Sequence, residues 1–390
     1  MSRIDEIISS LCPDGIEYRS IRDIAAIKNG KDYKGLGEGK VPVYGSGGPM
    51  GKFVDSASHV GPTVLLPRKG SVSNIFYVDG PIWNVDTVFY TEIDESKMLP
   101  RFFYHVMLNE HIENLATSSA ARPSLTQSAL YKVLIPVPPL EVQSEIVRIL
   151  DSFAELEAEL EAELEARKAQ YAHYRDQLLS RESLETMTGS EVKVKKLGDI
   201  GVFTRGSGIQ KKDFVEVGKP CIHYGQVYTY YGLSATEVKS FINDGLYAGR
   251  KKARKGDLVV ATTSENEEDV CKCVAWLGEQ PCAVSGDAYI FSHEQNPKFV
   301  AYLFCSDQFQ GQKKRYITGT KVLRVSGANM AKIELPFPPL HVQQQVVDIL
   351  DRFDALTTSL TDGLPAEIEA RRQQYEYYRD KLLDFPRKEA

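Results

Sequence analysis

Residues Pro138-Pro139-Leu140-Glu141-Val142-Gln143, followed by Ile149-Leu150-Asp151-Ser152-Phe153, return 200 positions later. The second occurrence reads Pro338-Pro339-Leu340-His341-Val342-Gln343, then Ile349-Leu350-Asp351-Arg352-Phe353. Farther on, Gln170-Tyr171-Ala172-His173-Tyr174-Arg175-Asp176-Gln177-Leu178-Leu179 matches Gln374-Tyr375-Glu376-Tyr377-Tyr378-Arg379-Asp380-Lys381-Leu382-Leu383, now at an offset of 204. Weaker echoes precede these motifs. Ile21-Arg22-Asp23-Ile24 answers Leu197-Gly198-Asp199-Ile200, Thr63–Leu66 answers Asp257–Val260, and Pro100-Arg101-Phe102 answers Pro297-Lys298-Phe299. The chain is therefore two tandem copies of one unit, a divergent body followed by a segment that has hardly changed. The period is too long for a solenoid, so the copies are separate domains.

The near-constant segments read as long helices, 141–185 and 341–390. Each opens after a Pro-Pro pair, and proline disfavours helix in the residue before it. In the first, Ile146, Leu150, Phe153, Leu160, Leu164, Tyr171, Tyr174 and Leu178 recur at steps of three, four or their sum, which makes one apolar stripe. Three tandem Ala-Glu-Leu-Glu units fill 154–165, all strong helix formers with a narrow leucine seam and a charged outer face. The second copy carries Val346, Leu350, Phe353, Leu356, Leu360, Ile368, Tyr375, Tyr378 and Leu382. Its four extra residues lie near Thr361–Pro365 and amount to about one helical turn, so the apolar face survives. Pro365 predicts a kink or short break there, because its ring clashes with the preceding turn. Each stripe needs a partner, and the obvious partner is the other copy.

The bodies, 1–140 and 186–340, are rich in Gly, aromatic and β-branched residues. Short strand-like runs (Thr63–Leu66, Ile75–Val78, Leu258–Val260, Tyr289–Ile290) are punctuated by turn residues such as Gly45-Ser46-Gly47-Gly48 and Arg68-Lys69-Gly70-Ser71. With short helices at 101–109 and 298–306, each body is a small α+β domain.

Composition bounds the function. Of 390 residues, 42% are hydrophobic and 26% charged, which is globular, and no apolar run is long enough for a membrane helix. An acidic N-terminus without an apolar run predicts a soluble cytoplasmic protein. Net charge is −6, but the acidity is concentrated in the first helix, whereas residues 186–340 hold 21 Lys+Arg against 16 Asp+Glu. That body carries Lys211-Lys212, Arg250-Lys251-Lys252, Arg254-Lys255 and Lys313-Lys314-Arg315, accompanied by Tyr228, Tyr230, Tyr231 and Tyr316. A basic surface of this kind suits nucleic acid, although a solvated face reads the same way. Cys271-Lys-Cys273 lacks the second ligand pair that a structural zinc site needs, so the thiols read as apolar packing. The sequence holds no phosphate loop of the G-x-x-x-x-G-K-[ST] kind, no histidine metal spacing and no local signature of a nucleophilic triad. Phe203-Thr204-Arg205-Gly206-Ser207-Gly208 has the wrong spacing for a methyltransferase glycine loop, and the Pro-Pro pairs stand at helix starts. The residues give no support for catalysis by this chain.

In their order and duplication these fragments resemble the DNA specificity (S) subunits of type I restriction–modification systems. In the first body the resemblance rests on Val41-Pro42-Val43-Tyr44-Gly45-Ser46-Gly47-Gly48, Gly61-Pro62-Thr63-Val64-Leu65, Arg68-Lys69-Gly70-Ser71 and Asp86-Thr87. The repeated helix openings and closings complete it over essentially the whole chain. It implies a fold of two tandem target recognition domains separated by two long antiparallel coiled-coil helices, with an internal pseudo-twofold. It implies double-stranded DNA with a split recognition sequence as ligand, one half per body. Modification (methyltransferase) subunits and a restriction subunit are the implied partners, with S-adenosylmethionine, ATP and magnesium on those subunits and none here.

About 40 helical residues span roughly 60 Å, more than one turn of DNA, and each tetrapeptide adds ~6 Å. Candidate reader residues are the side chains able to address base edges or phosphates from loops. In body one these are Ser46, Gly47, Gly48, Arg68, Lys69, Ser71, Ser118, Ser119, Arg122 and Ser124. In body two they are Arg205, Gln226, Thr262, Thr263, Ser264, Lys313, Lys314, Arg315, Lys321 and Arg324. Leu156, Leu160, Leu164, Tyr171, Tyr174, Leu356, Leu360, Tyr375 and Tyr378 are the candidates for spacer packing and partner docking. Three alternatives stay open: a specificity subunit serving a fused methyltransferase–nuclease, a methyltransferase of unusual motif order, and a coiled-coil scaffold without DNA.

Overall fold

The computed structural model describes residues 3–117, 123–358 and 363–388. The chain divides into two compact units. One comprises Met1–Ala162 with Glu367–Ala390, the other Glu163–Ala366. Each unit thus takes a body, the opening of the helix that follows it and the closing part of the other helical segment.

The first helix runs from Leu140 to Leu178 without interruption. It ends short of the expected 185, because Leu179 is fully buried in the core of the second unit and Ser180 caps a separate helix, Arg181–Thr188, by accepting from the Ser183 amide. The second helical segment is two helices, Leu340–Thr358 and Leu364–Leu383, so the break expected near Pro365 is present. In the first unit the helices run antiparallel: Phe153 stacks on Tyr378 (5.3 Å, 18°), and one turn on Glu157 pairs with Arg372 (2.8 Å). Tyr174 stacks on Phe353 in the second unit (6.0 Å, 23°), the same aromatic pair with the two copies exchanged.

Both bodies share a frame. In the first, the strand Ala25–Asn29 pairs antiparallel with Val88–Ile93, which pairs with Pro62–Pro67; in the second, Gly201–Arg205 pairs with Ala288–His293, which pairs with Leu258–Ala261. Val64–Leu66 and Leu258–Ala261 are wholly buried, as continuous apolar runs covered on both faces must be. A parallel contact follows in each body, Val43-Tyr44 beside Trp83-Asn84 and Cys221-Ile222 beside Ala283-Val284. Backbones pass so closely there that a Cβ on Gly30 would stand 2.0 Å from the Val85 carbonyl oxygen, and one on Gly206 2.1 Å from that of Ser285. Only glycine permits that approach.

The near-constant motif owes its constancy to buried polar bonds. Gln143 is fully buried, donating to the carbonyls of Pro138 (2.7 Å) and Lys97 (2.8 Å) and accepting from the Leu99 amide (2.8 Å). Gln343 repeats this with Pro338, Gln295 and the Asn296 amide. Each glutamine ties its helix to the start of the body's own helix, Pro100–Asn109 or Pro297–Cys305. Eight residues on, Asp151 binds Arg101 (2.9 Å) and His105 (2.8 Å), and the His105 ring reaches the Tyr375 hydroxyl (3.2 Å). Asp351 binds Lys298 (2.6 Å) and Tyr302 (2.8 Å), and Tyr171 packs against the core that contains Tyr302. Burial holds the His105 imidazole below the ordinary histidine range. With Nε2–H donating to Asp151, Nδ1 is left to accept from Tyr375.

Cys271 and Cys273 are buried in the apolar core of the second unit, with Cys271 Sγ 3.7 Å from Met330 Sδ. Among the described residues no group of His, Cys, Asp and Glu is placed to hold a metal, and no helix is long and apolar enough to cross a membrane.

Candidate nucleic-acid interface

In body one the loop candidates converge on Asp86-Thr87. The Thr87 carbonyl accepts from the amides of Arg68 (2.9 Å) and Lys69 (3.2 Å), and the Arg68 carbonyl accepts from the Leu125 amide (2.8 Å). Lys69 bridges to Ser124, whose carbonyl accepts from the Thr117 amide (3.0 Å). The two-residue hairpin turn at Ser46-Gly47 joins them, with the Ser46 amide on Thr87 Oγ1 (3.2 Å) and the Ser46 carbonyl on Asn74 (3.2 Å). Gly48 adopts a φ of +99°, which the turn requires. The turn, Met50, Asp32, Tyr33 and Asp86-Thr87 line a concavity of about 460 Å³. Gly47, Lys69 and Ser71 are exposed around it.

Body two builds the same three-segment junction. The Asp287 carbonyl accepts from the Thr262 amide (3.1 Å), the Thr262 carbonyl accepts from the Val325 amide (3.3 Å), and Thr263 pairs with Arg324. Thr318 and Arg324 exchange both backbone bonds (2.9 and 2.8 Å). Thr87 and Asp287, Ser124 and Arg324, and Leu125 and Val325 are each separated by 200, the offset of the helix motif. Leu125 and Val325 are the buried anchors, both 2% exposed.

On this common backbone the charges are redistributed. Arg68 donates to the Asp86 carbonyl (3.2 Å) in body one, and Arg205 donates to the Gly286 carbonyl (2.9 Å) in body two, so one carbonyl position is covered by a guanidinium that comes from different segments. A cation flanks a carboxylate in each: Lys69 lies 3.6 Å from Asp86, and Arg205 lies 4.0 Å from Asp287. Body one has Arg68-Lys69 where body two has Thr262-Thr263, and Ser124 where body two has Arg324.

Several candidates belong elsewhere. Lys313 is fully buried, its ammonium donating to the carbonyls of Glu267 (2.7 Å), Glu268 (3.2 Å) and Val270 (2.9 Å) and to Gln310. The basic run Lys313-Lys314-Arg315 is thus not one solvated face: a helix turn carries Lys313 inward, where it ties the 267–270 loop. Burial lowers its pKa from the ordinary lysine range. Thr262 is 5% exposed and contributes backbone. Gln226 closes a helix cap, accepting from the His223 amide (3.1 Å) and donating to Ser240. Tyr228 binds the carbonyls of Ala261 and Thr263, and Tyr231 is buried, so neither ring is a free stacking surface. Lys314 lines a separate concavity with Lys272, Glu267, Glu268 and Asp307. Arg205, Ser264 and Arg324 border the junction, Lys321 is exposed on the turn between Thr318 and Arg324, and Arg315 is exposed beyond it. Ser118, Ser119, Arg122, Leu360 and the side chain of Leu356 lie outside the described residues. On the helices Leu156, Leu160 and Leu164 are half-buried, Tyr171 and Tyr375 are engaged as described above, Tyr378 stacks on Phe153, and Tyr174 is 40% exposed.

The residues that organise the junctions, Thr87 and Asp287, were not among the sequence candidates. Asp86-Thr87 stood among the fragments that carry the resemblance, which was the one signal for Thr87; Asp287 had none.

Two α+β bodies with one backbone frame, each locked to a helix by the same buried glutamine, define an internally duplicated two-reader protein. The model of the type I restriction modification DNA specificity domain matches residues 13–166 and again 189–370. The chain is 34% identical over 318 residues to the EcoR124I/EcoR124II specificity subunit of Escherichia coli, covering 77% of this chain and 74% of that one. It is 29% identical over 391 residues to a putative type I restriction enzyme specificity subunit of Haemophilus influenzae, covering 95% and 96%. The fold is also that of the M. genitalium type I S subunit, at a TM-score of 0.51, 18% identity and coverage of 95% and 96%. A chain from a type I system studied for complex assembly and conformational transition gives 0.58 at 16% identity, covering 95% and 97%. The chain belongs to the family of type I restriction–modification specificity subunits.

Proposed function

We propose that this chain directs a type I restriction–modification complex to a split double-stranded DNA target, the junction at Asp86-Thr87 addressing one half-site and that at Gly286-Asp287 the other. Modification subunits dock along the paired helices, and a restriction subunit joins them. Methyl transfer from S-adenosylmethionine and ATP- and magnesium-dependent cleavage are the work of those partners. The complex acts in the cytoplasm of a bacterium or archaeon.

The duplicated junction carries this reading. A backbone arrangement kept at a constant offset, with exposed side chains exchanged upon it, is what two readers of different sequences require. Two half-sites call for two readers in a fixed relation, and one duplicated chain supplies both.

The test is base-resolution mapping of DNA methylation in cells expressing a cognate modification subunit, with and without this chain. A split motif with a fixed gap, present only with the chain, is the expected result. A complex that forms without any new motif overturns the reading and leaves a scaffold. Deleting one Ala-Glu-Leu-Glu unit, 158–161, shortens the central helix by ~6 Å. It is expected to change the gap and leave both half-sites intact.

A further inference from the structure

The junctions combine cations, which suit phosphate, with a carboxylate held beside a cation in each, Asp86 or Asp287, which does not; Asp32 also lines the body-one concavity. The Asp86 side chain is 59% exposed and the Asp287 side chain 42% exposed. A carboxylate accepts hydrogen bonds only, and beside a phosphate it is repelled. On a DNA-facing surface its favourable partners are base amino groups, which in the major groove are cytosine N4 and adenine N6. The flanking cations stand at 3.6 Å from Asp86 and 4.0 Å from Asp287, close enough to offset the charge against the DNA backbone and loose enough to leave acceptor oxygens available. A guanidinium also fixes the adjoining peptide, Arg68 through the Asp86 carbonyl and Arg205, which is itself the flanking cation in body two, through the Gly286 carbonyl. Both bodies arrive at this guanidinium–carbonyl, cation–carboxylate arrangement from non-equivalent positions, and the acid itself moves by one residue, from 86 to 287 against an offset of 200. Shared packing would have kept the positions; a shared task with different targets moves them.

Resting on the DNA-reading function above, we propose that Asp86 and Asp287 are specificity-determining residues, each accepting a hydrogen bond from the exocyclic amino group of one base in its own half-site. Cytosine and thymine on one strand place N4–H₂ and O4 at the same point, as adenine and guanine place N6–H₂ and O6. A carboxylate accepts from the amine and rejects the carbonyl. An asparagine amide can turn to suit either.

The experiment is methylation mapping with the full complex carrying Asp86→Asn or Asp287→Asn. Each variant is expected to relax one position of one half-site, from C to C-or-T if the partner is cytosine and from A to A-or-G if it is adenine, with the other half-site unchanged as an internal control of folding. An unchanged motif, relaxation spread over several positions, or loss of all methylation with both variants overturns the proposal. Failure of the DNA-reading function itself is distinct, since the wild-type complex would then yield no split motif.

Discussion

The helical segments and the junctions have undergone the same duplication with opposite results. In the helices Gln143 and Gln343, Asp151 and Asp351, and Phe153 and Phe353 keep identity as well as place. In the junctions only the backbone kept its place, while Arg68 became Thr262 and Ser124 became Arg324. The difference lies in what each side chain satisfies. A buried glutamine bonded to two carbonyl-type acceptors and an amide has no substitute that fills the same valences. An exposed arginine has many, and its value depends on the molecule it meets.

Removing a buried glutamine is expected to cost the most. Gln143→Leu strands the Leu99 amide and the Lys97 and Pro138 carbonyls, and each unsatisfied group costs about 1–3 kcal/mol, so a loss of at least about 3 kcal/mol is expected in chemical denaturation, with Gln343→Leu alike. Next comes Lys313→Met, which leaves three carbonyls of the 267–270 loop unpaired. Because the variant also removes a buried ammonium, the net loss is expected to be about 1–3 kcal/mol, with the salt dependence of DNA binding unchanged. Arg324→Ala should do the reverse. Stability stays within about 0.5 kcal/mol, and affinity falls or specificity relaxes at one position, with a salt slope lower by ~1 if its partner is a phosphate. A loss of stability with Arg324→Ala, or of salt slope with Lys313→Met, would reverse the assignment of the two residues.

The smallest effect is on pH. Burial lowers the pKa of His293 to about 4 and holds His105 and His223 below the usual value. A depressed folded-state pKa means that the stabilisation is complete above the unfolded value of about 6.5 and is lost as pH falls toward the folded one. Denaturation midpoints should therefore decline from pH 6.5 toward 4. His293→Asn keeps an acceptor for the Gln295 amide and removes the titration, so it should flatten the decline; an unaltered profile would exclude His293 as a source.

The repeat, the motif helices, the strands at 62–67 and 258–261 and the helices after Pro100 and Pro297 were legible because apolar periodicity and proline placement act locally. The helix end at Leu178 was not, since Leu179 leaves the stripe to enter a core assembled from distant segments. Lys313 was misread for the same reason: a run of three basic residues looks solvated until the loop carbonyls that receive one of them are in place. At the junctions Ser46, Arg68, Lys69 and Ser124 could be picked by residue type, but Asp86 and Asp287 could not. A carboxylate argues against DNA until the cations beside it are seen.

The most direct measurement is methylation mapping of two paired variants in the assembled complex, Arg68→Ala with Lys69→Ala in body one and Arg205→Ala with Arg324→Ala in body two. If each junction addresses its own half-site, each pair relaxes or loses one half of the motif and spares the other half and the gap. If both pairs change both halves together, the two bodies do not read independently, and the account is wrong.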